Sequence, residues 1–146
     1  MMSRLKLTVN ETKTRLCHLP DESFDFLGYT LGRNYDCRTG ESYLGPRPSQ
    51  KKIERLCREI GELTTRKKAG RAVEAQVRTI NRKLKGWSNY FRLGTVSKAY
   101  RNVDSHVRHR VRQWLCVKFK MQGHGKKRFH AEHLYQELGL YRLQRT

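Results

Sequence analysis

The apolar positions of this chain change period once. Up to residue 44 they alternate with polar ones in short runs, and from residue 50 onward they recur every three or four residues. Leu5, Leu7 and Val9 alternate with Lys6, Thr8 and Asn10, a period of two that predicts a short strand. Asn10 to Thr14 follow as polar turn formers. Phe24 and Phe26 alternate with Ser23 and Asp25, which predicts a second strand ending near Gly28. Asn34 to Gly40 reads as a hairpin loop, and Ser42-Tyr43-Leu44 as the returning strand. Gly45-Pro46-Arg47-Pro48 is expected to stop the pattern, because proline has no N–H to donate to a ladder.

Ser49 is a good helix cap for what comes next. Ile53, Leu56, Cys57, Ile60 and Leu63 form one helical stripe, and Val73, Val77, Ile80, Leu84 and Trp87 a second. Gly86 is expected to bend or end that second helix. Tyr100, Val103, Val107, Val111, Trp114 and Leu115 form a third stripe, expected to run to Gly123-His124-Gly125. His130 to Leu138 reads as a short helix stopped at Gly139. The pattern predicts an α+β chain, mainly α. A small β-rich segment over residues 1–46 precedes a helical domain over 47–146, built as a three-helix bundle with a short C-terminal helix.

Charge sharpens this division. Residues 47–128 carry 24 Lys/Arg against five Asp/Glu, which is the whole formal net charge of +19. The segments on either side are balanced. A segment this cationic repels itself and calls for a polyanion, and nucleic acid releases counterions when its phosphates are neutralised. Helical spacing turns the count into rows. Arg71, Arg78, Arg82 and Lys85 lie along one side of the second helix, opposite Val77 and Leu84. Arg101, Arg108 and Arg112 flank the third stripe. Lys51, Lys52, Arg55 and Arg58 open the first helix, and Arg92 follows the second. A merely solvated face would pair its cations with acids at i+4; the second helix has only Glu74 and the third only Asp104. Lys126, Lys127 and Arg128 form a basic loop that reads either as a phosphate clamp or as a solubilising tip. Among the interleaved aromatics, Trp87 continues a stripe and belongs to the core, whereas Tyr90 stands either in the core or free to stack on a base.

Other chemistry finds little support. Cys17, Cys37, Cys57 and Cys116 form no C-x-x-C pair, so no metal or disulfide is expected. There is no glycine-rich phosphate loop, no nucleophile motif and no apolar run of membrane length. The expected setting is cytoplasmic and the expected class is a binding module, not an enzyme.

Several stretches carry a family resemblance. Asn10-Glu11-Thr12-Lys13-Thr14, then Phe24-Asp25-Phe26-Leu27-Gly28-Tyr29, then Pro48-Ser49, resembles the end of the palm and the entry to the thumb of group II intron reverse transcriptases. Asn81 to Arg92 is similar to the signature of the maturase-specific domain of that family, and Leu134 to Leu140 to its closing segment. The resemblance implies that residues 1–46 are a palm remnant and that the helices are a thumb binding intron RNA or a template–primer. It also implies that Phe26, Leu27, Gly28 and Tyr29 form a primer-grip-like loop. Lys13 falls where such enzymes keep a lysine that assists nucleotide addition. The family's aromatic-Ala-Asp-Asp motif is absent from this sequence, so Lys13 would matter only beside a partner chain, and the magnesium of the intact polymerase site would not be bound here.

Three readings follow. The first is a non-catalytic module that binds structured intron RNA and assists splicing. The second is a subunit that completes an active RNA-directed DNA polymerase with a fingers/palm chain. The third is a general basic RNA chaperone.

Overall fold

The computed structural model describes residues 23–36 and 38–143. The expected strand at Leu5–Val9, Lys13, Cys17 and Cys37 lie outside the described residues. Three strands, β1 (Phe24–Phe26), β2 (Tyr29–Tyr35) and β3 (Ser42–Pro48), form an antiparallel sheet in the order β1-β2-β3. Three helices follow: α1 (Gln50–Leu63), α2 (Val73–Tyr90) and α3 (Ser97–Lys118). The chain is α+β and mainly helical, as the periodicity predicts.

The second expected strand ends just before Gly28, as the alternation predicts, but Tyr29–Tyr35 is also a strand and β3 runs on through its prolines. The chain reverses at Leu27-Gly28, where φ is +52° and +85°, and continues as β2. Two successive positive φ values make a two-residue type I′ turn, which joins strands rather than ending a sheet. The prolines also fail to stop β3. Its register pairs Leu31 with Pro46 and Tyr29 with Pro48. Since β3 is an edge strand, the donor-less nitrogens of both prolines face away from β2, where no ladder bond is lost. Pro46 presents its carbonyl to the same outer side, and the Thr95 amide donates to it at 3.0 Å.

Ser49 caps α1 by accepting the Lys52 amide, as expected. Leu56, Ile60 and Leu63 of α1 pack with Ile80 and Leu84 of α2 and with Val103, Val107, Val111, Trp114 and Leu115 of α3. Helix α2 runs through Gly86 to Tyr90. A glycine there weakens the helix by about 1 kcal/mol relative to alanine, but Leu84, Trp87 and Ser88 on the packed side hold the turn together. Helix α3 stops at Lys118, short of Gly123. There the Lys120 amide bonds to Val117 O and the Met121 amide to Cys116 O, the double closure of a Schellman stop.

The short C-terminal helix ends in a π-helical turn at His133–Glu137. Beyond it, residues 139–143 lie across α2 and α3. Asn81 clasps them from both sides: its Nδ2 donates to Gly139 O at 2.8 Å, and its Oδ1 accepts the Tyr141 amide at 2.7 Å. Asp104 accepts the Leu143 amide at 3.2 Å, and Leu140 and Leu143 are buried beneath.

Candidate nucleic-acid interface

Residues that the sequence keeps far apart meet at one end of the helical domain. The Leu27-Gly28 turn, Lys52, Arg55, Leu56 and Glu59 of α1, and Trp87, Tyr90 and Phe91 line a single open cleft. Two tyrosines lock the turn to the end of α2. Tyr29 OH donates to Tyr90 O at 2.5 Å, and Tyr90 OH donates to Leu27 O at 2.7 Å. Phe91 packs against Tyr29 and Trp87, with ring centres 5.1 and 4.8 Å apart. Gly28 sits over Lys52; a Cβ there would lie 3.2 Å from Lys52 Cε and from the Phe91 ring.

The turn itself is unusual. Leu27 adopts a left-handed conformation that asparagine or glycine normally supplies, and it is 70 % exposed. Phe26 beside it is exposed as well. The cleft therefore has an apolar lip, a cationic floor and the exposed Tyr90 ring at its rim. Within it Glu59 joins Arg55 at 3.3 Å and Lys83 at 3.1 Å. The Lys83 bond is the main cause holding the Glu59 carboxyl below its ordinary range.

Arg78, Arg82 and Lys85 are exposed and lie one turn apart on the side of α2 opposite Val77, Ile80 and Leu84. Lys85 lies 5.5 Å over the Tyr141 ring. Arg71 is exposed just before α2, and Arg92 just after it. On α1, Lys51, Arg55 and Arg58 are exposed and Lys52 is half-buried. Among the described residues the ion pairs are Arg55–Glu59, Lys83–Glu59 and His133–Glu137, so the α2 row has no acidic partner.

The α3 row is divided. Arg101 is exposed, but Arg112 directs its Nε to Phe129 O at 2.8 Å. Arg108 lies beside Tyr135 and Asp104. The segment after α3 packs on this side, so both arginines are half-buried, and Arg112 fastens it. Lys126, Lys127 and Arg128 are exposed, and Arg128 lies over the Phe119 and Phe129 rings at 5.6 and 5.5 Å. The sequence reading passed over Arg110, whose Nε donates to Thr64 Oγ1 and whose Nη2 donates to Gly61 O. Nothing in its spacing sets it apart from its neighbours; only the packing of α1 on α3 does.

Cys57 is half-buried, and burial followed by the nearby Glu54 charge raises its thiol above the ordinary value. Among the described residues no three His, Cys, Asp or Glu side chains gather to hold a metal ion. No helix among the described residues is long and apolar enough to cross a membrane.

The family model for the group II intron, maturase-specific domain matches residues 53–133, from the first turn of α1 to the start of the π-helical turn. No curated protein matches the chain.

Proposed function

The chain belongs to the group II intron maturase family through its maturase-specific domain, and from that premise we propose that it binds structured intron RNA and assists its splicing, without catalysis of its own. The observation that carries this reading is the α2 row, with Arg78, Arg82 and Lys85 exposed and without an ion-pair partner among the described residues. Phosphates along a structured RNA would meet the row, and an unstacked base would find the Tyr90 ring. On this reading the module works in the cytoplasm and needs no cofactor.

The test compares a group II intron RNA with an unrelated structured RNA of equal length across a salt series. The intron should bind more tightly, and part of that preference should survive at higher salt. Replacing Arg78, Arg82 and Lys85 together by alanine should lower the slope of log affinity against log salt by about two to three. Equal binding of both RNAs, lost together as salt rises, would leave only the counterion effect and sink the proposal.

A second reading has its own support. The exposed Phe26 and left-handed Leu27 resemble a lip shaped for a nucleic-acid end. This favours a subunit that grips a template–primer beside a fingers/palm chain. Primer extension that requires this chain and fails with Leu27→Asp would support it.

A further inference from the structure

A second cationic cleft lies at the far end of α1. Thr64, Arg66, Arg110, Trp114, Lys120 and His124 line it. From Lys52 to Thr64 the helix rises about 18 Å at ~1.5 Å per residue, so the two clefts are separate places on the surface. Three independent features mark the second one.

The first is Arg110. Thr64 Oγ1 at 3.1 Å and Gly61 O at 3.0 Å fix its guanidinium against the C-terminal end of α1. The group is held in place without neutralisation, since no ion pair among the described residues includes Arg110, Arg66 or Lys120. The second is Trp114. It is 2 % exposed, and its indole Nε1–H has no acceptor among the described residues. Its ring lines the cleft, with Lys118 Nζ 5.6 Å over it, so its surroundings change with whatever enters. The third is Lys120. It occupies the position of the α3 stop where glycine is usual, with φ +51°. Glycine would fit without strain, yet a cation stands at the rim of the cleft. A strained residue that persists beside a pocket points to function there.

We propose that this cleft is a second phosphate-binding site, seating a stretch of RNA backbone apart from the α2 row; it rests on the RNA-binding reading. Arg110 supplies a fixed positive charge and Trp114 an apolar wall. Arg66, Lys120 and His124 close over the strand from the rim.

Lys120→Gly separates binding from folding, because it removes the cation and relieves the left-handed strain together. The variant should melt at the same or a higher temperature. It should bind intron RNA ~3- to 10-fold more weakly, with a salt slope smaller by about one. Adding Arg66→Ala and His124→Ala should deepen the loss. A Trp87→Phe background leaves Trp114 as the sole tryptophan of the chain, and its emission should change as intron RNA is added. Unchanged affinity and slope in Lys120→Gly, with a silent Trp114, would overturn the site while leaving the α2 row standing. An emission change with inorganic phosphate but none with RNA would overturn the RNA assignment. Loss of intron preference in the unmodified chain would overturn both readings.

Discussion

Replacing Asn81 by alanine removes both halves of the clasp on residues 139–141. Each backbone hydrogen bond it makes contributes about 0.5–1.5 kcal/mol net. Two bonds give about 1–3 kcal/mol. Asn81 is only half-buried, so water can resolvate Gly139 O and the Tyr141 amide, which favours the lower part of that range, about 1–2 kcal/mol. In a domain of this size each kcal/mol shifts the melting temperature by about 3–5 °C. The variant should therefore melt ~3–10 °C lower and lose stability in urea without a change in slope. The loss should be local first. Exchange of the Tyr141 and Leu143 amides should accelerate well before that of Ile60, which sits in the core between helices. Asp104→Ala acts on the same segment through Leu143, so the two substitutions together should cost less or more than their separate effects added. A loss under about 0.3 kcal/mol, within the scatter of surface substitutions, with Tyr141 exchange unchanged, would refute the reasoning.

Gly94→Ala should destabilise the junction of sheet and helices by more than about 2 kcal/mol. Its φ is +71°, and an added Cβ would fall 2.0 Å from Pro46 O; unfolding in urea checks it, and a neutral result would mean the loop can move aside freely. Asp104 is 7 % exposed. Burial is the first cause raising its carboxyl above 3.8, partly offset by the Leu143 amide, Arg108 and Arg142. A folded value above the unfolded one means that stability is greatest below 3.8 and falls as pH rises through the folded value. Asp104→Asn keeps an oxygen for Leu143 and should flatten that fall, leaving the variant at least as stable at neutral pH; an unchanged profile in thermal melts across acid pH would remove Asp104 as its source.

The helices were legible because each buries a stripe that recurs every three or four residues. Leu56, Ile60, Val77, Leu84, Val107 and Val111 are all buried where the spacing puts them. Ser49 was legible because a cap acts on its immediate neighbours. The Leu27-Gly28 turn was not, since leucine carries no turn signal and its left-handed geometry is imposed by β1, β2 and Tyr90 around it. The prolines misled for a similar reason: whether a proline stops a strand depends on which side its nitrogen faces, and pairing decides that. For the candidate site, spacing put Arg78, Arg82 and Lys85 on the outer side of α2. It could not reveal that Arg108 and Arg112 would be covered by the segment that follows. Nor could it join Gly28, Lys52 and Tyr90 in one cleft, because that contact belongs to tertiary packing.

Two of the four outward-facing residues of β3 are prolines, and one of the remaining carbonyls on that side is already held by Thr95. The Pro46–Pro48 half of that border cannot serve as a template for another copy of the same sheet. Self-association into stacked strands, the hazard of any short open sheet, is therefore blocked along that half by backbone chemistry rather than by charge. The protection would hold when the domain's positive charge is neutralised on RNA, which is when electrostatic repulsion between copies no longer keeps them apart.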